Sequence, residues 1–316
     1  MAKKCVVLDD YQGVALSSAD WSVLGDDVEL VVFDRHLEGE DAVADALADA
    51  EIVVIMRERT PFPASLLARL PKLELLVTSG MRNGSVDLVA AQRQGVTVCG
   101  TASTSTAPGE LTWALILGLA RHLVTENAGM RANGPWQRTV GTDLAGRTLG
   151  LLGYGKIGQK VAAVGRGFDM DVVAWSPNLT EDRTVGARLA GSLHELAEVS
   201  DVLSIHLVLA GSTRGLVGAD VLGRMKRSAL LINTSRAGVV DQDALIAALR
   251  DERIAGAGLD VFDTEPLPAD HPFRTLPNVL ATPHLGYVTR GNYTTYFGQI
   301  VEDIAAFLAG QPIRTL

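Results

Sequence analysis

The sequence predicts an α/β protein made of two doubly wound parallel-sheet domains, and three observations predict it. Short β-branched runs alternate with helix-like segments along most of the 316 residues. The alternation occurs twice, once on each side of a long apolar segment near 108–122. A glycine-rich turn of nucleotide-binding spacing opens the second series rather than the first. Strands alternating with helices indicate βαβ units, and hence parallel sheets.

Within the first hundred residues, apolar runs at 5–8, 28–33, 52–55, 73–78 and 96–98 read as strands. Segments 40–47, 64–69 and 85–94 read as helices between them. Pro108 suits the first turn of a helix, and the apolar pattern that follows predicts a helix over 108–122 that bridges the two domains. A loop with Gly134, Pro135, Trp136 and Gly141 comes next. Strands then resume at 148–152, 172–175, 202–206, 229–233, 256–259 and 279–281, with helices at 156–166 and 242–249. An amphipathic helix over 292–309 ends the sequence, and its place after the last strand suggests a return to the first domain.

The composition, 47% hydrophobic and 21% charged, is that of a globular chain, and the net charge of −9 argues against nucleic acid as a partner. A small anion needs only local positive charge and fits. Cys5 and Cys99 are the two cysteines. Each adjoins an apolar run and they form no CxxC pair, so they read as buried inert thiols, with no metal site. The longest apolar run, 111–120, is too short to span a bilayer. The opening MAKKCVVLDDY fits no signal peptide, so a cytoplasmic setting is the default.

The stretch LLGYGKIG, residues 151–158, has the spacing GxGxxG between a strand and a helix. Gly153 would permit the tight turn, Gly155 would let a pyrophosphate approach the backbone, and Gly158 would let helix and strand pack closely. The helix N-terminus offers N–H groups to the anion. A site that prefers NAD usually adds an acid at the end of the second strand. Here that position is Ser176, and Asp169 and Asp171 stand at the strand's other end. Arg183 is the nearest downstream arginine. The residues lean to NAD and leave NADP open.

Three further stretches, NTSRAG (233–238), GLDVFDTEP (258–266) and TPHLG (282–286), each start at the C-terminal end of an expected strand. Ligands of open α/β sheets bind at that edge. Singly, Arg236, Glu265 and His284 read as structural residues. Together they suit hydride transfer to a 2-keto acid. An arginine clamps the carboxylate, a histidine gives the carbonyl oxygen a proton, and a glutamate stabilises the imidazolium and holds the ring. His206 ends a strand on the same edge and reads as lining a cofactor pocket.

The ordered motifs LGLLGYGKIG, NTSRAGVVDQDAL, GAGLDVFDTEPLP and ATPHLGY make the sequence resemble the NAD(P)-dependent D-2-hydroxyacid dehydrogenases over nearly its whole length. The resemblance implies a Rossmann-type cofactor domain, residues 103–285, inserted into a discontinuous flavodoxin-like substrate domain, residues 1–102 and 286–316. It implies Arg236 as the substrate-binding arginine, Glu265 as partner acid and His284 as proton donor. Cofactor contacts are implied for Lys156, Ile157, Ser176, His206, Thr234, Asp260 and the neighbourhood of Thr106, and a homodimer formed through the cofactor domain. The expected substrate is a small 2-keto or D-2-hydroxy acid such as glyoxylate, hydroxypyruvate or pyruvate. Alternatives are a short-form phosphoglycerate dehydrogenase and a non-catalytic nucleotide-sensing protein of the same fold. Formate is disfavoured, because formate dehydrogenases of the superfamily carry glutamine where Glu265 stands.

One loop departs from the family pattern. Family members often bind the substrate carboxylate through backbone N–H groups of a glycine-rich loop. Here residues 79–84 read SGMRNG, with the bulkier Met81, Arg82 and Asn83. Arg57 and Arg59 follow the third strand at the same sheet edge. Met81, Arg82 and Arg57 are therefore expected to line the substrate, with one of the arginines reading a second polar or anionic group on it, and solvated surface arginines are the alternative.

Overall fold

A computed structural model describes residues 2–316. The chain divides into two compact units, Met1–Thr104 with Thr289–Leu316, and Ser105–Val288.

The first unit holds strands β1 (Lys3–Val7), β2 (Val28–Val32), β3 (Ile52–Ile55), β4 (Leu75–Thr78) and β5 (Thr97–Gly100). Helices α1 (Gly39–Leu47), α2 (Ala64–Leu67) and α3 (Leu88–Gln94) connect them. The sheet is parallel in the order β2-β1-β3-β4-β5, which is the flavodoxin-like order. β3 and β4 are apolar and buried at every position, as parallel strands covered on both faces must be. Val43, Leu47, Leu66, Leu67 and Ala91 of the three helices pack on one face, against Val6, Val53 and Leu76. The last helix, Arg290–Leu308, packs on β4 and on a 3₁₀ segment, Trp21–Asp27, where the Trp21 and Phe297 rings lie 6.4 Å apart. The end of the chain thus completes the unit that the beginning started.

The second unit contains α4 (Ala107–Ala120), α5 (Leu123–Arg131), β6 (Thr148–Leu152), α6 (Lys156–Gly167), β7 (Asp171–Trp175) and β8 (Arg188–Leu189). It continues with α7 (Leu193–Val199), β9 (Val202–Ile205), α8 (Ala219–Arg224), β10 (Leu230–Asn233), α9 (Gln242–Arg250), β11 (Gly256–Leu259) and β12 (Val279–Ala281). All seven strands run parallel, in the order β12-β11-β10-β9-β6-β7-β8. The order reverses between β6 and β9, and the carboxyl end of that junction is where a doubly wound sheet opens a crevice. One face is covered by α4 and α6, through Trp113, Leu115, Ile116, Val161 and Ala162. The other is covered by α7, α8 and α9, through Leu196, Leu222, Leu245 and Leu249.

Several elements differ from expectation. The helix expected as a bridge, α4, belongs wholly to the second unit. Its apolar residues are buried on nearly all sides, which commits it to that core. The region expected as loop after it begins with α5, which buries only Gly129 and so carries no apolar stripe to read. The short α7 and α8 and the two-residue β8 were also not expected. Both cysteines are buried, and burial pushes the Cys5 thiol up to about 12 and Cys99 up to about 11, so both stay protonated and unreactive at neutral pH. No helix of the described residues is long and apolar enough to cross a membrane.

Candidate active site

The glycine turn sits at the reversal of strand order. Gly153 adopts φ +105°, and a Cβ there would lie 2.6 Å from the carbonyl oxygen of His206, at the end of β9. A Cβ on Gly158 would lie 2.3 Å from the Gly153 carbonyl oxygen. Both glycines are demanded by protein packing. Gly155 is different: a Cβ there would meet no atom within 4 Å. It is exposed and forms the N-cap of α6, a 12-residue helix whose first N–H groups receive no side-chain cap from it. That is a cradle which a side chain would fill, at the positive end of a helix, and it fits the pyrophosphate of a dinucleotide. Gly155→Ala should therefore leave the melting temperature within a few degrees and weaken NADH binding at least about tenfold. Unchanged affinity in a fluorescence titration would remove Gly155 from the site.

The other residues expected to meet the cofactor take several positions. Lys156 and Gly155 are exposed, Ile157 is half-buried and Ser176 is half-buried at the end of β7. Lys160 of α6 donates to the hydroxyl of Thr106 at 2.7 Å, tying the start of α4 to the helix that follows the glycine turn. The Thr234 hydroxyl lies 2.8 Å from that of buried Thr112. His206 Nε2 lies 2.9 Å from the Ser204 hydroxyl, and burial pushes the imidazole down to about 4, which leaves it neutral at pH 7. A neutral ring here adds no cation to the strand edge beside the glycine turn.

Asp260 has a task that its sequence position did not suggest. It is fully buried and accepts three bonds: from the Thr282 hydroxyl at 2.6 Å, from Leu285 N–H at 2.7 Å and from Gly286 N–H at 2.8 Å. Burial pushes its carboxyl above the usual aspartate value, against the lowering effect of those three donors. All three donors belong to the loop 282–286 that carries His284. His284 itself adopts φ +53°, which costs a non-glycine residue about 1–2 kcal/mol. Pinning both sides of the loop to one carboxylate holds that conformation.

Within this loop His284 Nδ1 lies 2.6 Å from Glu265 Oε2. Glu265 Oε1 accepts the Phe262 N–H at 2.9 Å, so one carboxylate is fixed by backbone and ring together. The Tyr287 ring stands edge-on to the imidazole at 5.3 Å. With Nδ1 turned to the carboxylate, Nε2 is the nitrogen left to exchange a proton with a ligand. Arg236 follows β10, two strands along the same carboxyl edge, roughly 10 Å away by strand spacing. Its Nη1 donates to the Ser235 carbonyl at 2.7 Å. Asn233, 2% exposed, donates to the Arg236 carbonyl at 3.0 Å and accepts from the Ser235 N–H and hydroxyl at 3.1 and 3.0 Å. The sequence reading named no role for Asn233. An asparagine at a strand's end is a recognised signal for such a turn.

In the first unit, the loop after β4 is braced from three sides. The Arg57 N–H donates to the Ser79 hydroxyl at 2.9 Å, and Arg57 Nη1 to the Ser79 carbonyl at 3.2 Å. Asn83 donates to the Arg57 carbonyl at 2.7 Å and to the Thr78 hydroxyl at 2.9 Å, while the Gly80 N–H donates to Thr101 at 2.9 Å. Arg57 also lies 3.7 Å from Glu58, so its guanidinium is built into its own unit. Met81 and Arg82 are exposed at the loop's tip.

The chain is similar to known proteins along most of its length. The model of the D-isomer specific 2-hydroxyacid dehydrogenase NAD binding domain matches residues 113–286. A glyoxylate reductase of Aeropyrum pernix is 38% identical over 257 residues, 78% of this chain and 76% of that one. A D-3-phosphoglycerate dehydrogenase of Bacillus subtilis is 33% identical over 83% of this chain, which spans only 50% of that longer relative. The crystal structure of a phosphoglycerate oxidoreductase of Vibrio cholerae superimposes with a TM-score of 0.92 at 36% identity, covering 98% of this chain and 100% of that one. A glycine cradle at the sheet's reversal, a histidine–carboxylate pair and an arginine on one strand edge, and these likenesses, lead to one conclusion: the chain belongs to the D-isomer specific 2-hydroxyacid dehydrogenases, the NAD-binding oxidoreductases that move a hydride between nicotinamide and a 2-keto or 2-hydroxy acid.

Proposed function

We propose that this chain reduces a small 2-keto acid of the glyoxylate, hydroxypyruvate or pyruvate type to its D-2-hydroxy acid with NADH, as a cytoplasmic homodimer. The observation that carries the reading is the 2.6 Å pairing of His284 with Glu265 on the edge that also bears Arg236. NADH bound at the glycine turn supplies the hydride. Arg236 binds the substrate carboxylate through its planar fork and draws electron density from the neighbouring carbonyl. His284 gives the proton at Nε2 to the carbonyl oxygen as the carbonyl carbon is reduced. Glu265 holds the ring through Nδ1 and offsets the positive charge the ring carries before it donates.

Arg82 and Met81, exposed on the loop after β4, are proposed to read the substrate's second substituent, and Arg57 to hold that loop. A phosphorylated hydroxy acid is the second reading, which the exposed Arg82 favours. The homodimer is supported by apolar side chains left open in the second unit. Leu123, Val124, Met130, Trp136 and Val140 are 56, 58, 63, 79 and 93% exposed, and a groove of about 320 Å³ lined by Leu119, Val124, Leu144 and Leu280 adjoins α4 and α5.

A panel of 2-keto acids, phosphorylated and not, assayed by loss of NADH absorbance, tests the reading. Turnover of at least one small keto acid is expected, by a species of twice the chain mass in sedimentation. NADH binding with no turnover of any acid would favour a nucleotide sensor instead. If Arg82→Ala and Arg57→Ala leave KM unchanged for every accepted acid, their assignment fails.

A further inference from the structure

β5 stands at the edge of the first sheet, next to β4. An edge strand leaves its outer N–H and carbonyl groups unpaired unless another segment takes them. Here the segment after the last helix takes them. The Gly310 N–H donates to the Phe307 carbonyl and the Gln311 N–H to the Ala306 carbonyl, both at 2.9 Å, and Gly310 at φ +73° turns the chain off the helix in a Schellman motif. The chain then runs antiparallel to β5, with Thr315 opposite Cys99. The Gly100 N–H donates to the Arg314 carbonyl at 3.0 Å, and the Leu316 N–H to the Val98 carbonyl at 2.9 Å.

Arg314 fastens this segment. Its Nε donates to Asp303 Oδ1 at 2.9 Å and its Nη2 to the Gln299 carbonyl at 2.9 Å, and Nη2 lies 2.8 Å from Glu302. Asp303 is 0% exposed, so the guanidinium is the counter-charge of a carboxylate out of reach of water. Arg314 adopts φ +50°, a conformation that a non-glycine residue keeps only where its surroundings hold it. Gly100 also touches the loop 79–84. A Cβ on Gly100 would lie 2.7 Å from the Gly80 carbonyl oxygen and 3.2 Å from the Met81 Cα. The Gly80 N–H donates at 2.9 Å to the hydroxyl of Thr101, which is fully buried and follows Gly100 in sequence. A Cβ on Gly80, at φ +93°, would in turn collide with the Arg57 guanidinium. The start of the loop is thus wedged between Arg57 and the end of β5, and in close packing a shift of either wall moves it.

We propose that Arg314 is a positioning residue for the substrate: by tying residues 314–316 to β5 it fixes Gly100, and through Gly100 the place of Gly80 and Met81. The inference rests on the reading of the loop 79–84 as lining the substrate. Hydrogen exchange of residues 79–84 and steady-state kinetics, run on the same variants, separate the two. Arg314→Ala should speed amide exchange in the loop about tenfold or more. It should raise KM for an accepted keto acid about tenfold, with kcat and NADH affinity each within about threefold. Arg314→Lys should recover part of both losses, since it keeps the charge opposite Asp303 and loses the planar fork. The Asp303→Asn, Arg314→Ala double variant removes the stranded carboxylate. It should regain most of the melting temperature lost in Arg314→Ala and keep the raised KM. A KM that returns to the wild-type value in the double variant makes the effect one of stability and overturns the positioning role. Unchanged exchange in Arg314→Ala overturns the role and spares the reading of the loop. Faster exchange with KM unchanged for every accepted acid overturns both.

Discussion

Replacing His284 by alanine is expected to lower kcat by about 10²- to 10⁴-fold, or roughly 3–5.5 kcal/mol of barrier, while NADH affinity stays within about twofold. The asymmetry follows from position. His284 stands on the loop after β12, four strands from β6 and the glycine turn, so its loss should leave the proposed pyrophosphate cradle untouched. Glu265→Gln probes the same unit more gently. The 2.6 Å contact to Nδ1 keeps its shape but loses its charge. Losing one charge-assisted bond predicts a fall in kcat of about 10- to 150-fold. Single-turnover kinetics at saturating NADH make both measurements. A His284→Ala variant that keeps more than about a tenth of wild-type kcat would mean that another group, or solvent, supplies the proton.

Arg236→Ala should lower kcat/KM by about 30- to 5000-fold, because removing one partner of a desolvated charge pair costs about 2–5 kcal/mol. The loss should fall on both KM and kcat, since in the proposed role the arginine would both bind the carboxylate and polarise the adjoining carbonyl. Arg236→Lys should restore only a minor part. A lysine offers a point charge, while the turn built by Asn233 and Ser235 aims a planar fork. Asn233→Ala should act in the same direction and more weakly, through loss of that turn. Full recovery in Arg236→Lys would reduce the residue's part to a general positive field.

These expectations rest on residues that differ in how far sequence alone reveals them. β3, β6 and β11 fall where apolar runs and flanking turns place them, because a buried parallel strand is a short contiguous feature. The glycine turn is legible for a related reason: Gly153 and Gly158 sit where backbone atoms come so close that no other side chain fits. α5 escaped because it buries almost nothing, and α7 and α8 because six or seven residues hold too little periodicity.

By itself the sequence determined two parallel α/β sheets, a phosphate-cradling turn between β6 and α6, and three chemically suited side chains at strand ends. Each is written in contiguous residues, through side-chain period, glycine spacing and functional-group type. Only the tertiary structure decided that Asp260 anchors the His284 loop, that Asn233 shapes the Arg236 turn, and that Arg183 returns to within two residues of Ser176. The reason is geometric. The bonds of Asp260 to its loop join residues more than 20 apart, and such pairs meet only once strand order has brought β11 beside β12. Shorter reversals such as 176–183 depend on where buried Thr184 and the packed Leu179 find their cores.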